Sequence, residues 1–356
     1  MINVRPLFVM RACLKYFKYG TGILIIFICY FLWIQTNSNC FQDKLNSTQL
    51  MDDNSTYNLN TPPTKVRVPK LKSINSKKSN PIFNGQYILN NINICNQFVP
   101  VDIIVVVHSN PAHFAQRFTI RRTCGMRKLF LPIEVRVIFL LGRVDNKKIH
   151  ENIINEHSRY GDTIQGDFKD AYHNLTFKAV MGLHWVSHYC SDAKYVIKID
   201  DDVVFNMWRF LKEVYAKHLY SSKAIYGISK FRDLIPRTGK WSVPFNILKG
   251  FKYYPYEFCT GFVLIMSADI IPDLYRASFK VPFFWLDDVY VTGMLRTVVG
   301  GIAIKQKETH LILSPESDGL KCLKEMLYVC PYLAVGYKSL RTYKEVWKLF
   351  KKRNEK

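Results

Sequence analysis

Three adjacent carboxylates follow a short apolar segment in the middle of the chain. Asp200, Asp201 and Asp202 come directly after residues 195–199, which are apolar except for Lys198. Neighbouring carboxylates repel one another, so the arrangement favours a compensating cation. Mg²⁺ or Mn²⁺ fits, because either ion binds one or two carboxylates together with diphosphate oxygens. The alternative is a solvated acidic turn in which an aspartate caps the helix that follows.

A second acidic pair, Asp287 and Asp288, lies in the segment 285–293, at the predicted start of a helix. A carboxylate in that place can act as a general base that takes a proton from a weak nucleophile such as a hydroxyl. The alternative is that both acids only cap the helix and complement its dipole.

The elements around these acids alternate between strand and helix patterns. The β-branched apolar runs 101–107 and 135–142 predict buried strands, and apolar residues spaced three or four apart predict a long helix within 172–189. Such alternation predicts an α/β domain with a largely parallel sheet covered on both faces. Ligands of open α/β sheets bind where the strands end, which is where Asp200 to Asp202 lie.

Composition and charge narrow the class of protein. The 356 residues are 48% hydrophobic, which excludes intrinsic disorder for most of the chain. The formal net charge of +22 favours anionic partners such as nucleotide phosphates, acidic glycans or lipid headgroups. Zinc-finger spacing, an RNA-binding aromatic signature and a basic heptad helix are all missing from the sequence, so we expect no nucleic-acid partner.

The N-terminal region predicts a membrane anchor. Residues 19–35 carry no charge, and Arg5, Arg11, Lys15 and Lys18 precede them, which orients the preceding tail toward the cytosol. The competing interpretation is a cleaved signal peptide, but its basic region would be unusually long and no small-residue cleavage site follows. We therefore expect a cytosolic tail (1–18), a transmembrane signal anchor (19–35), a luminal stem (36–95) and a folded domain (96–350).

Glycosylation sequons and cysteines support the luminal placement. Asn46, Asn54 and Asn174 each begin an N-glycosylation sequon. Seven cysteines follow the anchor, and an oxidising compartment favours pairing. Cys322 and Cys330 can close a local loop, and the odd count leaves one cysteine unpaired, which we expect to be Cys40.

Five blocks of the chain are similar, in order, to the β-1,3-galactosyltransferase family. They are 117–123, 139–142, the long block 156–206, residues 254–256 with 261–264, and 287–291. The resemblance implies a single GT-A type domain that transfers a sugar from a nucleotide donor. The donor would be a UDP-sugar, and the transferred hexose would be either galactose or N-acetylhexosamine. The acceptor would be a glycan on a glycoprotein or glycolipid. It also implies inversion, a β-1,3 linkage, Mn²⁺ or Mg²⁺, and a type II protein of the Golgi membrane, and it allows a homodimer.

The resemblance also implies roles for individual residues. Asp288 is the expected catalytic base, with Asp287 beside it, and Asp202 is the expected metal ligand, with Asp200 directed toward the ribose or the metal's waters. The remaining expected contacts of the donor sugar nucleotide, or of the loop that holds it, are Arg117, Arg121, Arg122, Asp167, Asp170, Tyr172, Lys178, Asp201 and Gly261. For the three arginines the alternative is a solvated helix face.

One departure from the family leaves open whether the protein depends on a metal ion. Many relatives carry a histidine eleven residues before a tryptophan, and here that position, counted back from Trp347, is Gly336. His310 is a substitute candidate, although a lone histidine is more often structural. Two other classes remain: a non-catalytic luminal protein of the same fold that binds glycan or nucleotide sugar, and a membrane-tethered adhesion or scaffold protein.

Overall fold

The computed structural model describes residues 82–96, 99–217, 222–305, 312–314, 316–326 and 329–354. The predicted tail and anchor, together with Cys40, Asn46 and Asn54, lie outside the described residues, as does His310. Within the described part, no helix is both long and apolar enough to cross a bilayer.

The strands of the described chain fall mostly in its first two thirds. They are β1 (Tyr87–Leu89), β2 (Ile103–His108), β3 (Val135–Arg143), β4 (Thr163–Lys169), β5 (Tyr195–Asp200), β6 (Val203–Phe205), β7 (Ala224–Tyr226), β8 (Ser229–Lys230), β9 (Phe258–Cys259), β10 (Val263–Ser267), β11 (Ala303–Ile304), β12 (Ile312–Ser314) and β13 (Tyr332–Gly336).

The helices connect these strands, and the last helix forms the C-terminal end of the described chain. They are α1 (Phe114–Arg121), α2 (Lys147–Tyr160), α3 (Leu175–Tyr189), α4 (Met207–Phe210), α5 (Ile271–Ser278), α6 (Arg296–Val299), α7 (Glu316–Glu325) and α8 (Leu340–Asn354). A π-helical turn, Leu211–Tyr215, continues α4, and a second one, Val289–Leu295, leads into α6.

Eight strands form one mixed sheet in the order β1-β4-β3-β2-β5-β10-β7-β11. The pairs β4·β3, β3·β2, β2·β5 and β7·β11 are parallel, whereas β1·β4, β5·β10 and β10·β7 are antiparallel. The expectation of a largely parallel sheet therefore holds for the continuous part β4-β3-β2-β5, and the rest of the sheet is mixed. All five residues of β10 are buried, so its hydrophobicity resembles that of a parallel strand and does not reveal its direction.

Local signals define the helices around the site. Asn146 caps α2 by accepting a hydrogen bond from the Ile149 amide at 3.1 Å, and Gly161 ends it with φ of 67°, which favours glycine. The predicted long helix is α3, but it is buried on nearly every side between 180 and 186 rather than on one face. It is buried so widely because it packs between the sheet and α5.

The folded part begins before residue 96. Phe83 and Ile94 are buried, β1 pairs with β4, and a disulfide joins Cys95 to Cys190 on the far end of α3. The C-terminal end of the predicted stem, from residue 82 on, is thus part of the sheet and its core.

The cysteine pairing differs in part from expectation. The disulfide Cys322–Cys330 is present as predicted, and Cys95–Cys190 is a second one. Cys124 and Cys259 are both free and buried, so the described chain alone contains two unpaired cysteines rather than the single one expected from the odd count.

Candidate active site

The three adjacent carboxylates after β5 have different environments. Asp200 accepts a hydrogen bond from Lys198 Nζ at 2.7 Å, Asp201 is buried, and Asp202 is exposed. The helix that follows is capped by Asn206, which accepts from the Arg209 amide at 3.1 Å, so the capping interpretation of the aspartates is wrong.

Asp201 holds the loop that follows β2. Its Oδ2 accepts hydrogen bonds from Ser109 Oγ at 2.6 Å and from the Asn110 amide at 2.9 Å, and His113 Nδ1 lies 3.0 Å away. These contacts occupy its carboxylate within the protein. Asp201 therefore joins the end of β5 to the end of the neighbouring strand β2.

Asp200 and Asp202 are the carboxylates that remain for a cation. The protein around the Asp202 carboxyl displaces water and raises its pKa, and repulsion from Asp200 and Asp201 adds to the rise. A divalent ion between the two groups would relieve that repulsion. Among the described residues, no group of three or more His, Cys, Asp or Glu side chains could hold a metal ion. Asp200 and Asp202 would supply two ligands of such an ion.

A buried lysine connects the two acidic clusters. Lys198 Nζ lies 2.7 Å from Asp200 Oδ1, 2.5 Å from the Gly261 carbonyl oxygen and 3.9 Å from Asp287 Oδ2. Burial alone would lower its pKa, but the charges of Asp200 and Asp287 outweigh burial and the pKa is raised. Lys198 therefore stays a cation between β5 and the acidic pair.

Asp288 begins the π-helical turn and also faces β9–β10. Its Oδ1 accepts from the Val289 amide at 2.8 Å, and its Oδ2 accepts from the Gly261 amide at 3.2 Å. A Cβ on Gly261 would lie 3.3 Å from Asp288 Cβ, so glycine permits this close approach. The capping role is thus present, and each carboxylate oxygen keeps a lone pair for a further partner.

Asp287 points the other way, into the protein. Its Oδ2 lies 3.7 Å from Nδ1 of the buried His108 and 3.9 Å from Lys198 Nζ. Burial raises the pKa of Asp287 to about 6 against the opposing charge of Lys198, and the carboxylates of Asp288 and Asp200 add to the rise. Burial also raises the pKa of Asp288. Both acids are therefore easier to protonate than an ordinary aspartate.

Arg117 is fully buried beside the same loop. It binds Glu156 through Nε and Nη2, with the shortest contact at 2.7 Å, and its Nη1 donates to Ser109 Oγ at 3.1 Å and to the Asn110 carbonyl at 2.7 Å. Its Nη2 also donates to the Pro111 carbonyl at 3.0 Å. Arg117 therefore supports the loop 109–111, which in turn holds Asp201.

Arg121 extends this ion-pair network, and Arg122 does not. Arg121 donates to Glu156 Oε1 at 2.7 Å and to both oxygens of Asp162 at 2.7 Å. Arg122 is exposed and lies 5.4 Å over the Phe118 ring. The solvated interpretation of these arginines fits Arg122 alone, and contact of any of the three with donor phosphate stays a prediction.

Lys178 and Asp170 tie three strand ends together. Lys178 Nζ donates to the Ser109 carbonyl after β2 at 2.7 Å and lies 2.9 Å from Asp170 Oδ2 after β4. Asp170 Oδ2 also accepts from the Gly142 amide of β3 at 2.6 Å. The structure thus brings both residues to the site edge.

Asp167 and Asn174 lie on the surface side of the same segment. Asp167 is exposed and pairs with Arg143 Nε at 3.1 Å. Asn174 Nδ2 donates to the Lys169 carbonyl at 2.9 Å, and Thr176 of its sequon is buried. Both sequon side chains are engaged within the fold.

Comparison with known proteins identifies the family of this arrangement. A model of the galactosyltransferase family matches residues 115–308, a range that contains both acidic clusters, Lys198 and Arg117. The chain belongs to the galactosyltransferase family.

Relatives in this family cover most of the folded part. Beta-1,3-galactosyltransferase 1 of mouse is 31% identical over 229 residues, which are 63% of this chain and 68% of the relative. Beta-1,3-galactosyltransferase 5 of human is 30% identical over 244 residues, 67% of this chain and 76% of the relative. The chain is accordingly a glycosyltransferase.

A solved structure of a glycosyltransferase involved in the glycosylation of the major capsid of PBCV-1 matches with a TM-score of 0.37 and 9% identity, over 70% of this chain and 98% of that chain. A likeness this distant adds nothing on activity.

Several residues of this galactosyltransferase site were not singled out by sequence reasoning. Lys198, Glu156 and His108 had no assigned role, although a lone lysine inside an apolar strand is a signal, because burying it requires a paired charge. Glu156 has no such signal, since its partners Arg117 and Arg121 lie 39 and 35 residues away.

Proposed function

We propose that this enzyme transfers a hexose from a UDP-sugar to a hydroxyl of a glycan acceptor, forming a β-1,3 bond with inversion. The names of the relatives favour galactose over N-acetylhexosamine. The observation that carries the proposal is the pair of acidic clusters joined by Lys198, one at the end of β5 and one at the start of a helix. Such a pair suits a reaction that needs a diphosphate site and a base side by side.

The donor is assigned to the end of β5 in a GT-A type fold. Asp200 and Asp202 would hold Mn²⁺ or Mg²⁺ against the diphosphate, and such an ion supplies positive charge that stabilises the leaving group. Asp201, Arg117 and Lys178 do not contact the donor in this assignment. They fix the loop 109–111 and the strand ends around it.

The acceptor hydroxyl is assigned to Asp288. A bond forms between the hydroxyl oxygen and the anomeric carbon while the bond from that carbon to the phosphate oxygen breaks, and UDP leaves. The proton passes to an Asp288 carboxylate oxygen, because an unassisted hydroxyl is a weak nucleophile. Amide donors from Gly261 and Val289 hold this carboxylate in one orientation. Asp287 holds Lys198 in place and does not take the proton.

The compartment follows from the same proposal. We assign residues 19–35 to a signal anchor of a type II Golgi protein whose bulk is luminal, with two disulfides as support, because such bonds persist in oxidising compartments. Protease treatment of sealed Golgi vesicles should spare the C-terminus, and digestion of the C-terminus without detergent would contradict this topology.

The test of function is an assay of the full-length protein in detergent with a panel of UDP-sugars and glycan acceptors. We expect a β-1,3-hexosyl product with Mn²⁺ that is lost on chelation. Asp202→Ala should abolish transfer and weaken UDP binding in Mn²⁺ while the protein stays folded, and the exposed Asp192→Ala is the matched control. UDP-sugar binding without any product would favour the alternative, a non-catalytic binding protein of the same fold.

A further inference from the structure

The segment 230–253, which begins at the last residue of β8 and leads toward β9, is here called the outer loop and has an unusual surface. It contains six Lys or Arg residues and one acidic residue, Asp233. Its large aromatic side chains face solvent: Phe231 is 74% exposed, Trp241 57% and Phe245 75%. Exposed aromatic and basic side chains gathered on one segment are typical of a recognition surface.

One arginine gives the outer loop a defined shape. The Arg237 guanidinium donates to five backbone carbonyls of the loop at 2.8 to 3.4 Å, namely those of Val243, Pro244, Ile247, Leu248 and Phe251. A β-bridge between Leu234 and Tyr253 closes its base. The loop is therefore organised before any ligand binds, which lowers the entropic cost of binding.

The outer loop reaches the segments that carry the acidic pair. Trp241 Nε1 donates to the Tyr172 hydroxyl at 2.9 Å, and Lys240 Nζ lies 4.7 Å over the Tyr172 ring. Tyr172 is 40% exposed, and its ring centroid is 5.9 Å from that of the buried Trp285. His173 stacks on the same Trp285 at 4.5 Å. Because Trp285 is two residues before Asp287, the exposed rings of Trp241 and Tyr172 adjoin the helix start that holds the proposed base.

Lys240 is available for an anion. Its ammonium group rests over the rings of Tyr172 and Trp241, at 4.7 and 5.8 Å. Within the part of the chain that the structure describes, it has no carboxylate partner. A cation held over aromatic rings with no counter-ion can bind a carboxylate or sulfate from a ligand, while the rings accept the apolar face of a sugar.

We propose that Trp241, Tyr172 and Lys240 form an acceptor subsite that recognises a glycan bearing an anionic group next to the accepting sugar. The inference rests on the proposed function, since it places the acceptor on the side of Asp288. The rings position a sugar of the acceptor, and Lys240 selects for its charge.

The subsite is tested with the full-length enzyme and three matched tetrasaccharide acceptors: a neutral one, one with a uronic acid and one with a sulfate. We expect a lower KM for the acidic acceptors, and loss of that advantage in 1 M salt. Lys240→Gln should raise KM for the acidic acceptors about fivefold and leave the neutral one unchanged, as for an exposed ion contact of about 1 kcal/mol. Comparing the KM for the uronic acid acceptor with the KM for the sulfated acceptor shows which anion the subsite recognises.

Trp241→Ala should raise KM for all three acceptors up to about tenfold with little change in kcat, because stacking is lost for neutral and acidic sugars alike. The matched controls are Lys348→Gln and Phe118→Ala, which change exposed residues on α8 and α1. Neither control should change the KM for any of the three acceptors.

Binding to the Asp288→Asn variant, measured by calorimetry, tests the inference without turnover. Equal affinity for neutral and acidic tetrasaccharides there, or no effect of Lys240→Gln, would overturn it. If both loop variants leave transfer to soluble acceptors intact but lose binding to anionic lipid vesicles, the outer loop is a membrane contact and the inference is wrong. Acidic-glycan binding without transfer to any acceptor would refute the proposed function and leave the subsite standing.

Discussion

The two sides of the candidate site treat their charges in opposite ways. On the proposed donor side, around the ends of β2, β3 and β4, Arg117 and Lys178 are buried, Arg121 is partly buried, and all three meet carboxylates of the protein. On the acceptor side, Asp287 and Asp288 have raised pKa values and Lys240 of the outer loop has no carboxylate partner among the described residues. In the proposed function, the first group of charges positions the site and the second group acts on the acceptor.

Burial explains the difference. A buried cation without a partner would be costly, and Glu156, Asp162 and Asp170 supply the opposite charges that offset this cost on the proposed donor side. On the proposed acceptor side, Lys240 is exposed, and Asp287 lies near a single buried cation, Lys198, which also pairs with Asp200 of the proposed donor side.

The largest expected effect comes from removing the acceptor-side base. Asp288→Asn nearly keeps the shape of the side chain and can still cap the helix, so the melting temperature and UDP affinity should remain. The kcat should fall about 10²–10⁴-fold, because no carboxylate accepts the hydroxyl proton. Steady-state kinetics and thermal melting check both halves of this expectation.

Asp287→Asn is the matched variant for this prediction. If Asp288→Asn retains near-wild-type turnover and Asp287→Asn does not, the base is Asp287. If both variants remain active, the base lies outside this pair, and the acceptor side loses its distinguishing group.

On the proposed donor side, removing a charge should lower the stability of the fold rather than kcat. Arg117→Met leaves the buried Glu156 with Arg121 alone, so the free energy of unfolding should fall by about 3–5 kcal/mol, the usual loss when a buried ion pair is broken. The exposed Arg122→Met should change it by less than about 0.5 kcal/mol. Urea denaturation of the two variants measures both values.

A small loss in Arg117→Met together with a large rise in the KM for UDP-sugar would show that Arg117 binds the donor. That result would contradict the contrast drawn above, because a charge assigned to positioning the site would then contact a ligand.

The pH dependence should separate the two kinds of carboxylate. Burial raises the pKa of Asp287 and Asp288, and the base must be ionised to accept a proton. The value of kcat/KM should therefore fall as pH falls, with a midpoint above the ordinary aspartate value of about 3.9. A pH–rate profile at constant ionic strength measures that midpoint.

Glu134, which lies outside the site, supplies the contrast. Hydrogen bonding by Arg127 lowers its pKa to about 2, against the effect of burial and with a further contribution from Arg136. Its stabilising contribution is present above pH 4.5 and is lost as pH falls toward 2, well below the kinetic transition. A kinetic midpoint at or below the ordinary aspartate value would remove the distinction between the acceptor-side acids and an acid paired with arginines, such as Glu134.

Local patterns were sufficient for part of this molecule. Residues at helical spacing predicted α3, and the structure has it at Leu175–Tyr189. Cys322 and Cys330, eight residues apart, are paired as expected. Both features depend on neighbours in sequence, where spacing alone determines geometry.

Features that depend on distant partners were not predicted from the sequence. The disulfide from Cys95 spans 95 residues, and the antiparallel direction of β10 depends on the path of the chain between β5 and β10. Contact of Arg117 and Arg121 with the donor, which the family resemblance implies, stays a prediction. Their carboxylate partners come from α2 and the start of β4, which no local pattern indicates.

The sequence alone determined the helix and strand types around the site, the two acidic clusters and the family resemblance that the comparisons confirmed. Tertiary structure decided which charges are paired within the protein and which remain available for a ligand. Periodicity reports only whether a position is buried, whereas the state of a buried charge depends on groups that folding brings near from far along the chain. Lys198 shows this most directly: its strand is readable as buried, but its place between Asp200 and Asp287 exists only in the folded protein.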